Sequence, residues 1–175
     1  MNALVVFESS YGNTAAVGET IAATLRAEGI DAEAGSVDEV RANDTRAIDL
    51  LVAGGPTHMH GMSRPSTRKA GANDKKNTFD EPTVTTGLRE WLEAVPPGAS
   101  RPAAAFDTRF DKAAVITGSA AKGIARRLAG RDFRLLVDPE SFFVTNENKL
   151  VDGELDHAAA WARTIAKHAL ARVAS

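Results

Sequence analysis

The chain has 175 residues, of which 43% are hydrophobic, and a formal net charge of -2 at pH 7. This length and composition predict one domain, spanning residues 1–175, and the small net charge favours neither nucleic acid nor an acidic membrane surface as a partner. The chain has no cysteine, which excludes disulfides, thiolate metal sites, iron–sulfur clusters and a cysteine nucleophile, so redox chemistry would require a cofactor. No apolar run approaches a membrane span, and the first one stops at Glu8, so we expect a soluble cytoplasmic protein.

The first third of the chain alternates strand and helix patterns. Residues 3–7 form a short continuous apolar run, typical of a strand covered on both faces. Val17, Ile21 and Leu25 follow at helical spacing, and Gly29 ends that helix. Residues 30–37 predict a weak edge strand. Residues 48–53 predict a second buried strand, which leads into Gly54.

The rest of the chain begins with residues 57–86, which are polar and rich in Gly, Pro, Ser and Lys and are too long for an ordinary connection. Residues 88–95 then predict a helix with Trp91 inward, and residues 103–106 a third central strand. Residues 115–116 fit either a short extended piece or the approach to a helix that Ser119 caps and Gly130 closes. Residues 133–137, resuming at 142–144, predict the last strand. Residues 152–173 predict a helix with Trp161, Ile165 and Leu170 inward.

Strands that alternate with helices imply right-handed crossovers and a parallel sheet of about five strands covered on both faces. In such a sheet, the residues that follow the first, third and fourth strands meet over one crevice. These residues are 8–14, 55–61 and 107–112.

The loop after the first strand, ESSYGNT, is rich in hydroxyl groups and opens a helix. Free N–H groups and the helix dipole favour an anion there, especially a phosphate, and Gly12 lets the backbone approach closely. The loop has neither the lysine of a Walker motif nor the three spaced glycines of a dinucleotide motif. A simpler interpretation stays open, in which the hydroxyls only cap the helix and bind no ligand. Glu8 would also repel a phosphate unless its side chain turns away or caps N–H groups.

The segments VVFESSYGNTAAVGETIA, LLVAGGPTHMHGM and AAAFDTRFDK resemble the flavodoxin family. The resemblance implies an α/β, three-layer flavodoxin-like fold, with a five-stranded parallel sheet in the order 2-1-3-4-5 and helices on both faces. It also implies FMN as the cofactor, bound at the switch point between strands one and three.

The same resemblance implies three groups of cofactor-binding residues and no catalytic residue. The first group, in the loop after the first strand, consists of residues that bind the FMN phosphate, together with Tyr11, which lies among them: Ser9, Ser10, Tyr11, Gly12, Asn13 and Thr14. The residues beside the flavin ring are Pro56, Thr57, His58, Met59, His60 and Gly61. The residues of the opposite wall, acting chiefly through backbone groups, are Asp107, Thr108, Arg109 and Phe110.

Some residues depart from the family pattern. The second and third loops lack the usual tryptophan and tyrosine, so His58, Met59, His60 and Phe110 are the flat or polarizable groups available. Arg109 could stabilise the reduced anionic flavin, which suits a reductase, or it could point to solvent. The two histidines alone are weak evidence for a metal site, and none is predicted.

We therefore expect an FMN-binding electron-transfer protein, with an electron carrier favoured over an FMN-dependent oxidoreductase. The alternatives are an NAD(P)H:quinone-type reductase and a flavin-free binding or regulatory module. The electron donor or partner would be a redox protein or NAD(P)H. The basic part of the loop at residues 62–86 could bind a nucleotide phosphate, an acidic redox partner or a second subunit in a homodimer.

Overall fold

A computed structural model of the chain describes residues 1–58, 61–63, 87–111 and 118–173. The predictions for Met59, His60, residues 64–86 and residues 115–116 lie outside the described residues. The elements, in chain order, are β1 (Asn2–Phe7), α1 (Asn13–Ala27), β2 (Asp31–Ser36), a 3-10 helix (Ala42–Ala47), β3 (Leu50–His58), β4 (Gly61–Met62), α2 (Leu88–Ala94), β5 (Pro102–Phe110), α3 (Ala120–Gly130), β6 (Arg134–Leu135), β7 (Glu140–Val144) and α4 (Glu154–Val173).

The central sheet is parallel and has the order β2-β1-β3-β5, followed by β6 and β7 at the far edge. β6 pairs with the start of β5 and β7 pairs with its end, so two short strands share the fifth position. Pro139 lies between them, and a proline cannot donate to a strand ladder. The predicted order 2-1-3-4-5 is confirmed, with β5 as the fourth strand of that order.

Two layers of helices cover the sheet. α1 and α4 pack on one face, over a core that includes Val5, Phe7 and Phe106. α2 and α3 pack on the other face, over a core that includes Leu4 and Val6. Alternate residues of each strand therefore face opposite layers, which makes both faces apolar, as the continuous hydrophobic runs indicated.

The predicted core positions are mostly confirmed. Trp91 and Trp161 are both buried. Leu170, which was expected to face inward, is 37% exposed, and the neighbouring Ala169 is fully buried in its place. The helical repeat of 3.6 residues, counted from Ile165, brings Ala169 rather than Leu170 onto the sheet.

β3 and β5 are longer than the sequence indicated, since their ladder continues through Gly55 with Asp107 and Pro56 with Thr108. Much of the two expected loops is therefore strand. β4 turns back antiparallel on the end of β3, which forms a β3–β4 hairpin that was not predicted, and neither was the 3-10 helix. Among the described residues, no helix is long and apolar enough to cross a membrane.

Candidate functional site

The loop between β1 and α1 presents backbone N–H groups at the start of a helix. Gly12 is the N-cap of α1 and has the left-handed conformation, with φ 80° and ψ -17°. Ser9 Oγ accepts a hydrogen bond from the Ala15 N–H at 3.3 Å. The N–H groups of Asn13 and Thr14, earlier in the same turn, are the ones that helix geometry leaves for a ligand.

A cavity of about 510 Å³ adjoins this loop. Residues 9–13 line one side of it, and Ser36 and Glu39 line the side nearer β2. The hydrogen bond from the Ser36 N–H, and to a smaller extent the one from the Ser36 hydroxyl, lower the pKa of Glu39. This carboxyl therefore stays charged at neutral pH. An anion is therefore favoured at the N–H groups of the loop and disfavoured at the β2 side of the cavity.

The side chains of Asn13 and Thr14 fix the position of the loop. Asn13 Nδ2 donates to the carbonyl oxygen of Asn148, in the turn after β7, at 2.8 Å. The hydroxyls of Thr14 and Thr108 are hydrogen bonded at 2.8 Å, which joins the first turn of α1 to β5. The amide of Asn13 retains a second hydrogen, so a direct bond from it to a phosphate stays a prediction.

Glu8 turns away from the loop. Its side chain is buried against the layer of α2 and α3, where Oε2 accepts from Leu88 N at 2.8 Å and from Ser63 Oγ at 2.7 Å. Leu88 is the first residue of α2, so this carboxylate caps that helix. The sequence left two ways for Glu8 to avoid repelling an anion, and it does both: its side chain turns away from the β1–α1 loop and caps a backbone N–H group.

Asp107 has a corresponding role at the start of α3. It is fully buried, and its Oδ2 accepts three hydrogen bonds at 2.9 Å, from Thr57 Oγ1, Ser119 Oγ and Ala121 N. Thr57 Oγ1 in turn accepts from Ala120 N at 2.8 Å. The predicted site residues Thr57 and Asp107 are thus brought together, and they hold the ends of β3 and β5 against the N-terminus of α3.

Arg109 and Phe110 lie at the carboxyl end of β5. The Arg109 guanidinium lies over the ring of its cross-strand neighbour Phe143, 4.7 Å from the centroid, and the residue is half-buried. Arg109 therefore does not simply extend into solvent. Phe110 is 40% exposed, which leaves an aromatic surface accessible beside the site.

The β3–β4 hairpin contains the remaining described site residues, Pro56, Thr57, His58 and Gly61. Its register pairs Thr57 with Met62 and His58 with Gly61. Met59 and His60 are outside the described residues. In the described ranges, no group of three or more His, Asp or Glu residues could hold a metal ion.

Sequence reasoning missed several residues that shape the site. Asn148 and Phe143 contact the predicted site residues Asn13 and Arg109, and Ser63 contacts the adjoining Glu8, but none of the three was singled out. The asparagines at 146 and 148 signal a turn, whereas the bond from Asn13 to Asn148 spans 135 positions and has no local signature. Alternation along β1 does place Glu8 on the same face as Leu4 and Val6, and that signal could have indicated its burial.

Comparisons with known proteins agree on the fold. The structure is similar to a flavodoxin from the domain Archaea, with TM-score 0.68 and 19% identity over 97% of this chain and 99% of that one. It is similar to oxidised flavodoxin 1 from Bacillus cereus, with TM-score 0.69 and 18% identity over 96% of this chain and 99% of that one.

A larger protein gives a similar match. Rubredoxin oxygen:oxidoreductase from Desulfovibrio gigas matches with TM-score 0.67 and 17% identity over 99% of this chain and 37% of that one. Neither a protein-family model nor a curated protein matches the chain by sequence. At this level of identity, the structural likeness establishes a flavodoxin-like fold.

Proposed function

We propose that this chain, which has the flavodoxin-like fold, binds FMN non-covalently and transfers electrons through it. The observation that carries the proposal is the β1–α1 loop, which offers neutral donors to an anion at a helix N-terminus. Two neighbours of the fold are flavodoxins, and a third is a redox enzyme by its name. Likeness of fold alone does not assign a reaction, because the reaction depends on the residues of the site.

The residues present fit an FMN phosphate. Gly12 is left-handed, the N–H groups of Asn13 and Thr14 are available in the first turn, and Ser10 lines the adjoining cavity. The buried Glu8 carboxylate, which would oppose an anion, is directed to the opposite layer. Neutral donors at a helix N-terminus are sufficient to bind a phosphate.

The carboxyl ends of β3 and β5 supply the surroundings for a flavin ring. Phe110 presents exposed aromatic surface there, and the hydrogen bonds of Asp107 fix the hairpin through Thr57. FMN, when bound, supplies the redox chemistry. The chain binds and orients the cofactor, restricts access of water to it and sets its electrostatic environment.

The test compares FMN with riboflavin, which has the same ring and lacks the phosphate. We expect isothermal calorimetry to show uptake of one FMN per chain and binding of riboflavin that is at least about tenfold weaker, equivalent to roughly 1.4 kcal/mol. The visible spectrum of the complex should be perturbed from that of free FMN. Absence of FMN uptake by folded protein would instead favour the flavin-free module, and equal affinity for both ligands would contradict the phosphate site.

One observation favours a second candidate, an FMN-dependent NAD(P)H:quinone-type reductase. The half-buried Arg109, held over Phe143 at the end of β5, places a permanent cation at the proposed flavin wall. A cation there favours the reduced, anionic form of a flavin, as suits an acceptor of hydride. Steady-state turnover by the FMN-loaded protein with NADH or NADPH and a quinone tests this candidate. A carrier would show no turnover without a separate reductase.

A further inference from the structure

A group of cations lies on the layer of α2 and α3. Lys122 and Arg126 are exposed, one turn apart on α3, and Arg127 beside them is half-buried. Arg89 lies on α2, which packs against α3. These four residues, Arg89, Lys122, Arg126 and Arg127, are called the basic surface below.

The guanidinium groups on α3 lie toward the end of the helix that adjoins the candidate site. Arg126 Nε donates to the carbonyl of Lys122 at 3.2 Å, and Arg127 Nη1 donates to the carbonyl of Gly123 at 3.5 Å. Both bonds reach back one turn, in the direction in which helical side chains lean. That end of α3 is tied to the end of β5 by Asp107.

The basic surface also contacts the β3–β4 hairpin and Ser63, the residue that follows it. Arg89 Nε donates to the carbonyl of Ser63, and Nη2 donates to the carbonyl of Met62, each at 3.4 Å. Met62 packs against α3 so closely that a Cβ added to Gly123 would lie 3.5 Å from Met62 Cγ. The positive charge of the basic surface therefore lies along one side of the proposed flavin site.

The charges of the basic surface repel one another. Burial and the neighbouring Arg89 guanidinium lower the pKa of Arg127. Arg126 adds to this effect, while Glu93 opposes it. Among the described residues, no ion pair engages a member of the basic surface. Like charges that lie close together without a counter-charge destabilise a fold. Such arrangements are expected at functional sites, where a binding partner supplies the opposite charge.

We propose that the basic surface is the docking site of an acidic redox protein, an inference that rests on the proposed electron-transfer function. The two exposed cations, Lys122 and Arg126, lie on the solvent-facing side of α3, so their charges spread over a surface rather than converge on one phosphate. Complexes between electron-transfer proteins are small and weak, and complementary charge both steers and orients them. A partner seated here would approach the hairpin beside the flavin.

The test measures binding of an acidic, oxidised [2Fe–2S] ferredoxin by calorimetry at low ionic strength, with flavin-free and FMN-loaded protein. The variant Lys122→Glu/Arg126→Glu is expected to bind at least about tenfold more weakly than the wild type. The matched control is Arg163→Glu/Lys167→Glu, which reverses two exposed charges one turn apart on α4, in the opposite layer. The control should retain wild-type affinity, and added salt should weaken wild-type binding.

The proposal is overturned if the wild type does not bind the ferredoxin, or if both double variants bind it equally well. Displacement of bound ferredoxin by 2′,5′-ADP would assign the surface to a nucleotide phosphate and would also overturn it. Titration of the same samples with FMN separates the two proposals. FMN uptake without ferredoxin binding removes the docking site alone, whereas ferredoxin binding without FMN uptake supports the docking site and removes the proposed function.

Discussion

The β1–α1 loop offers an anion backbone N–H groups rather than side-chain charge, and Gly12 makes that arrangement possible. Its φ of 80° lies in a region that costs other L-residues roughly 1–2 kcal/mol. Residues that bind a phosphate through the backbone are sensitive to backbone conformation and tolerant of side-chain exchange. Among substitutions in this loop, replacement of Gly12 should therefore have the largest effect on anion binding.

Replacement of Gly12 by alanine should destabilise the protein by about 1–2 kcal/mol and also weaken FMN binding, because the strained backbone moves the N–H groups. Gly29→Ala is the control. Gly29 has φ 86°, and no atom lies within 4 Å of an added Cβ, so the strain is similar but distant from the site. Urea denaturation should show similar losses for both variants, and calorimetry should show weaker FMN binding only for Gly12→Ala. Equal FMN affinities in the two variants would contradict the assignment.

Arg109 should raise the potential of bound FMN, because its guanidinium is held over Phe143 at the end of β5. Arg109→Met is expected to lower the two-electron midpoint by roughly 30 mV, equivalent to about 1.4 kcal/mol. Arg134→Met is the control, since Arg134 pairs with the opposite end of β5. Redox titration of the FMN-loaded proteins provides the measurement. An unchanged midpoint in Arg109→Met would show that this cation does not act on the flavin.

At the scale of secondary structure, hydrophobic pattern identified every central strand and all four α-helices, since each buries an apolar face. It failed where pairing rather than hydrophobicity extends an element. Gly55 and Pro56 have low strand propensity, yet they continue β3 because β5 pairs with them. The β3–β4 hairpin has no Asn-Gly or Asp-Gly signal at its turn, so local chemistry did not reveal it.

Two buried carboxylates connect these elements. Glu8 caps α2, and Asp107 caps α3, and each has one oxygen without a partner among the described residues. Buried carboxylates that accept several hydrogen bonds are strong anchors, and removal of one leaves its donors unsatisfied. The placement of both helix N-termini beside the site therefore depends on side chains from the sheet.

Asp107→Ala should destabilise the protein by at least about 3 kcal/mol, because three donors lose their acceptor and each unsatisfied buried group costs roughly 1–3 kcal/mol. Asp107→Asn keeps one acceptor oxygen and should fall between the alanine variant and the wild type. Asp138→Ala, at an exposed position, should change stability by less than about 0.5 kcal/mol. Urea denaturation measures all three. Hydrogen exchange at the Ala121 amide should accelerate most in Asp107→Ala, and unchanged exchange there would contradict the capping role.

For the molecule as a whole, the net charge of -2 conceals an uneven distribution. Residues 1–58 contain nine carboxylate side chains and three arginines, whereas residues 120–135 contain five cations and one carboxylate. The fold separates these segments, because β1, α1 and β2 lie toward one edge of the sheet and α3 covers the β5 side. A sequence total cannot show this polarity, because it appears only when the order of the strands is known.

Because exchange resins respond to local charge, this polarity should let the protein bind a cation exchanger at pH 7 despite its negative net charge. Lys122→Glu/Arg126→Glu should elute at lower salt than the wild type. Arg163→Glu/Lys167→Glu changes the net charge by the same amount and should elute close to the wild type, since it leaves the basic surface intact. If the two double variants eluted together, retention would follow net charge, and the basic surface would not be the dominant positive feature of the molecule.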